Sequence, residues 1–216
     1  MTGIKFLEHL QKKRGIDIIA ATQLLEAESI TAFTRASKLF DGHPTIDDGA
    51  KLSICRNEFA KHFCEFAEDE FYPYDVADVE SLGKSWFDNY ISGSASLIGE
   101  DFDVFSISIP PVAIDTEVLE DGQILILTES VKNYLMAFRK SILYHPDMPV
   151  THKALLCCSI ESHVEALSDN KAILVKPAMT QLENLFASTE CPAHSSVLEL
   201  VYGLLNTVRE EYQMQS

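Results

Sequence analysis

Glu58, His62, Glu65 and Asp69 follow one another at spacings of four, three and four, which sets all of them on one face of a helix. A helix that offers carboxylates and an imidazole in this way can supply part of a metal site, provided other helices bring the remaining ligands. No second helix repeats the pattern, since Glu161 with His163 and His194 with Glu199 both miss the spacing. The face therefore reads as solvated, and neither a metal nor another cofactor is expected. A second set, His152, Cys157, Cys158 and His163 in "HKALLCCSIESH", has the residue types of a zinc site. On one helix Cys157 points about 140° and Cys158 about 240° away from His152, so the four cannot converge on a tetrahedral ion. Cys157 instead joins Val150, Ile160, Val164 and Leu167 on an apolar stripe, with the histidines expected to be exposed.

Two further segments pair an arginine with a histidine, "RNEFAKH" from Arg56 to His62 and "RKSILYH" from Arg139 to His145. Each resembles the Arg-spacer-His motif of the HEPN ribonucleases, a superfamily of small helical domains, over seven residues. The resemblance implies that Arg56 and His62, or Arg139 and His145, cleave RNA. The imidazole would move a proton and the guanidinium would stabilise the phosphorane. Six residues along a helix place Arg56 and His62 about 240° apart. They converge only if the helix breaks or if a second chain completes the site. "DGQILILTESVKNYL" resembles the end of a winged-helix domain, where a wing strand runs into the next helix, with Thr128 as the expected cap. A DNA-reading helix rich in Lys and Arg should precede such a wing. Only Lys84 lies between Lys61 and Lys132, so the resemblance implies protein binding rather than DNA binding.

The most unusual stretch is "EFAEDEFYPYDVADVESLG", residues 65–83, in which no Lys or Arg occurs. Its acids, Glu65, Glu68, Asp69, Glu70, Asp75, Asp78 and Glu80, are interleaved with Phe71, Tyr72 and Tyr74. Carboxylates steer a basic partner and meet its Arg and Lys, while aromatic rings supply desolvated contact. The alternative is a plain solvated surface. The charge distribution singles out the same region. The net charge is -16, and residues 41–121 hold nineteen acids against four basic side chains, or -15. Residues 1–40 sum to +2, 122–176 to +1 and 177–216 to -4.

The elements that must position these groups are mostly helices. Apolar spacing predicts helices over 3–13 and 17–27, with Ser29 capping a third through Phe40. A longer helix follows from about Thr45 to Phe71, with Leu52, Cys55, Phe59, Phe63 and Phe66 inward. The next covers 77–91, with Val79, Leu82, Trp86 and Tyr90 inward. "DFDVFSISI" and "GQILILT" read as two strands, joined by a long acidic connection. Helices then follow at about 129–144, 150–168, 178–187 and 196–213, the last with Ser196 and Glu199 as a capping box. Seven to nine helices with a small antiparallel β pair near 102–128 make a mainly helical α+β fold. A single domain over 1–216 is expected, divisible into a helical part, 1–95, and a hairpin with C-terminal helices, 96–216.

The wide apolar arc of 196–213, with Val197, Val201, Leu204 and Val208, raises the expectation of a homo-oligomer. Five cysteines, two of them adjacent, fit free thiols in the cytoplasm better than a disulfide framework. No stretch approaches the length of a membrane span. The leading expectation is a non-catalytic protein whose acidic segment, 41–121, binds a basic protein as an inhibitor or nucleic-acid mimic. The alternatives are the Arg–His ribonuclease and a structural subunit associating through its last helix.

Overall fold

The structure, a computed structural model, describes residues 3–38, 49–71, 76–96, 107–167, 170–189 and 192–213. Helices dominate, with a small antiparallel sheet, as the fold class anticipates; among the described residues the sheet has three strands, one more than the expected pair. Two compact units divide the chain. The first is Met1–Leu97 with Pro146–Cys158, and the second is Ile98–His145 with Ser159–Ser216.

The first unit begins with α1 (Gly3–Arg14), which Gly15 ends at a φ of 65°, donating its N–H to the Gln11 carbonyl at 2.9 Å. Asp17 then caps α2 (Ile18–Ser37), its carboxylate accepting from the Ala20 N–H at 2.8 Å. The expected break at Ser29 does not occur. Ser29 is buried mid-helix and returns its hydroxyl to the Glu26 carbonyl, which satisfies it without a cap. Next come α3 (Gly49–Phe71) and α4 (Val76–Ser96). Only four residues separate them, so they pack as antiparallel neighbours.

Their seam is aromatic. Phe87 lies 5.7 Å, ring centre to ring centre, from both Phe33 and Phe59, and Phe63 lies 5.1 Å from Trp86. The inward stripe of α4 is Val79, Gly83 and Phe87, with Leu82 and Trp86 half-buried. Phe87, absent from the expected inward set, is fully buried in this stripe because Gly83 faces α3. A Cβ there would stand 3.3 Å from the Ala60 Cα, so the missing side chain sets the contact line. The side chain of Tyr90, the cap at Thr45 and residues 102–106 of the expected strand lie outside the described residues.

The second unit holds the sheet in the order β1 (Thr116–Val118), β2 (Ile124–Leu127), β3 (Ala172–Leu174). The partner of β2 in the hairpin is Thr116–Val118, within the supposed connection, while Ile107–Asp115 is not strand. The reason is a tight turn. Gly122 has a φ of 77°, its N–H reaches the Leu119 carbonyl, and the Asp121 carboxylate accepts from the Gln123 N–H. β2 runs directly into α5 (Thr128–Leu143), the strand-to-helix join that the winged-helix resemblance implies. Leu127, not Thr128, occupies the cap position, and it makes no side-chain cap bond.

The chain continues through α6 (Val150–Ala166), β3, α7 (Val175–Phe186) and α8 (Pro192–Gln213). α8 starts at Pro192, a residue suited to the first helical position, so Ser196 lies in its second turn, buried rather than capping. Val197, Val201, Leu204 and Val208 are all buried within the chain itself. The stripe that raised the expectation of a homo-oligomer through 196–213 is thus covered within one chain, as internal core.

Candidate functional site

The α3–α4 hairpin carries the acidic stretch at its linked end. Residues 65–71 form the last turns of α3 and residues 76–80 the first turns of α4. Pairings across the seam fix this register: Arg56 opposite Asp88, Phe59 opposite Phe87, Ala60 opposite Gly83. Glu65, Glu68, Asp69, Glu70, Asp78 and Glu80 thus come to one end of two adjacent helices. No basic residue stands in the last turn of α3, the negative end of its dipole. The side chains of Glu68, Asp69, Glu70, Phe71 and Asp78, and residues Tyr72, Tyr74 and Asp75 entirely, lie outside the described residues.

The cations of the hairpin whose side chains are described, Arg56, Lys61 and Lys84, are already engaged. Arg56 binds Asp88 with both prongs of its guanidinium, Nε to Oδ1 at 2.8 Å and Nη2 to Oδ2 at 2.7 Å. Lys84 pairs with Glu80 one turn back, and Lys61 lies 3.9 Å from Glu58. Glu65 is exposed and reaches His62 Nδ1 at 3.2 Å. Glu80, bound to Lys84, is the one described acid of the stretch with a lysine of its own.

Of the supposed metal cluster, Glu58 turns to Lys61 and His62 to Glu65, while the Asp69 side chain lies outside the described residues. Among the described residues no group of three or more His, Cys, Asp or Glu could hold a metal ion. Cys157 and Cys158 are buried, and Cys158 Sγ lies 3.0 Å from Ser37 Oγ. The described cysteines, Cys55, Cys64, Cys157 and Cys158, are free thiols. Burial, with Glu58 adding to it, pushes the Cys55 thiol up to about 11, which leaves it protonated and unreactive at neutral pH.

Arg56 and His62 share one unbroken helix and do not meet. Arg56 lines a cleft with Lys84 and Asp88, whereas His62 lines another with Arg14 and Arg35. Arg139 is nearly buried, with its Nε 3.0 Å from Glu161 Oε1, and so serves an ion pair between α5 and α6. His145 lies past the end of α5, its backbone N–H on the Ile142 carbonyl.

A histidine pair went unforeseen. His163 is not exposed: its Nδ1 donates to the Ser159 carbonyl at 2.7 Å, and its ring lies 5.4 Å from that of His194. His194 Nδ1 in turn lies 2.9 Å from the Ser159 hydroxyl. Ser159 and His194 are 35 residues apart, so no local spacing signals the contact. Burial pulls the His163 pKa down, and the Ser159 carbonyl offsets this only in part. The unfolded chain, with an ordinary histidine near pH 6.5, therefore binds more protons as pH falls through that value. Stability is full above about pH 6.5 and declines below it, until the folded-state value is passed. Urea midpoints of the wild type and His163→Asn should diverge least at pH 5 and most at pH 7.5. A constant gap between the two would refute this.

Compared with known proteins, the chain matches no family model, no curated protein and no solved structure. Among the described residues no helix is long and apolar enough to cross a membrane.

Proposed function

We propose that this is a non-catalytic, cytoplasmic interaction protein that docks a basic protein partner on the linked end of its α3–α4 hairpin. One observation carries the reading. Of the four basic residues within 41–121, three are neutralised inside the hairpin, by Asp88, Glu58 and Glu80. What remains is a large excess of carboxylate, nineteen acids in that segment, against one further basic residue, Lys51. A partner rich in Lys and Arg relieves that repulsion, and its approach is steered by the field. Direct nucleic-acid binding runs against the same field. Free thiols accord with a reducing compartment.

The test is affinity capture on the whole chain at about 50 mM and about 500 mM salt, with and without nuclease, since exposed charges are screened within a few ångströms at high salt. Basic proteins should be retained at low salt, released at high salt and unaffected by nuclease. Retention that depends on RNA, or that ignores salt, overturns the proposal.

A further inference from the structure

We infer that a cleft in the first unit binds a small zwitterionic ligand, one that carries both an oxyanion and an ammonium group. The cleft has a volume of about 390 Å³. Arg14, the last residue of α1, Glu28 and Arg35 on α2, and His62, Glu65 and Phe66 on α3 line it. Local periodicity accounts for their convergence. Glu28 and Arg35 are seven residues apart, almost two turns, so they share one stripe of α2 about 10 Å apart along its axis. His62, Glu65 and Phe66 stand at i, i+3 and i+4 on α3 and share a face in the same way.

Arg35 is exposed and, among the described residues, makes no hydrogen bond or ion pair. Its guanidinium fork is therefore open to a phosphate or a carboxylate, either of which it can meet with two parallel N–H donors. The carboxylates in the same cleft set the rest of the ligand's chemistry. A simple anion is attracted by Arg35 and Arg14 but repelled by Glu28 and Glu65, and a simple cation meets the reverse. A molecule with an oxyanion at one end and an ammonium at the other satisfies both signs. Half-buried Phe66 offers a ring to its methylene chain or its ammonium group. The volume lies within the range of small-molecule sites. Glu65 belongs to both the cleft and the acidic stretch, but Arg35 and Glu28 lie outside that stretch, so variants at these two test the inference separately from the docking of a basic protein.

Isothermal titration calorimetry on the full chain at low salt decides it. The probes are 6-aminohexanoate and phosphoethanolamine, with hexanoate, inorganic phosphate and ethanolamine as single-charge controls. At least one zwitterion should bind about ten-fold more tightly than every control. Arg35→Gln should weaken that binding about ten-fold or more, the size of one lost charge-assisted hydrogen bond. Glu28→Gln should bring the zwitterion and its matching anion closer in affinity. Circular dichroism of both variants should be unchanged. The inference is overturned if a control binds as tightly as the zwitterions, if no probe binds below about 10 mM, or if Arg35→Gln binds like the wild type.

Discussion

Reversing Glu68 and Asp69 to lysine should slow association with the captured basic partner by about 10- to 100-fold at low salt, while dissociation changes little. Both positions belong to the last turns of α3, where the helix dipole is also negative and no basic residue intervenes. Exchanging two negative charges for two positive ones takes residues 65–80 from seven acids and a charge of -7 to five acids, two lysines and -3, which weakens the local field over a Debye length of about 8 Å. Steering acts on encounter, so the effect falls on the association rate and fades as salt rises. Stability of the free protein should hold or rise, because the substitutions remove repulsion among carboxylates and place cations at a helix C-terminus. Stopped-flow or surface-resonance kinetics at two salt concentrations read both rates. A double variant that associates at the wild-type rate would leave the acidic end as a solvated surface and nothing more.

Phe87→Ala should cost about 3–5 kcal/mol of folding stability, against a typical total of about 5–15 kcal/mol for a protein. Phe87 is fully buried and touches Phe33 of α2 and Phe59 of α3. Gly83, one turn before it, brings the two backbones too close for another side chain to swing in, so the cavity should collapse only partly. The α3–α4 seam fixes the end that carries the carboxylates, so partner affinity should fall with stability in this variant. In the charge-reversal pair, by contrast, affinity falls alone. Urea denaturation with partner titration separates the two. A loss below about 1 kcal/mol would mean the seam does not hold the hairpin as described.

The sequence was most informative where the physics is local. Gly15 followed by Asp17 is enough to end one helix and cap the next, because a positive φ and a side-chain acceptor act within a single turn. The four-residue spacing of Cys55, Phe59 and Phe63 in α3 marks its inward face correctly, since helical periodicity needs no partner to be read. Ser29 misled for the complementary reason. A serine can start a helix or lie inside one, and only the burial of its surroundings, with the Glu26 carbonyl as acceptor, decides which. The strand over "DFDVFSISI" failed similarly: alternation allows a strand, but Gly122 and Asp121 form a turn that pairs β2 with the nearer Thr116–Val118.

For the site, composition alone determined that negative charge is concentrated in 41–121, and that the acids of 65–80 have no Lys or Arg among them. It could not say which charges meet. Arg56 finds Asp88 across 32 residues, Arg139 finds Glu161 on another helix, and His194 finds Ser159. Each of these depends on how far one helix is rotated against the next, and in α4 that rotation follows from a glycine, a residue that hydrophobic patterning does not count. The burial of the α8 stripe is of the same kind. A broad apolar arc asks for cover on two sides, and either a second copy or the chain's own core satisfies it equally. Periodicity and charge are properties of neighbours along the chain, and the sequence states them outright. Pairing, rotation and cover belong to residues that only packing brings together, and those the tertiary structure decided.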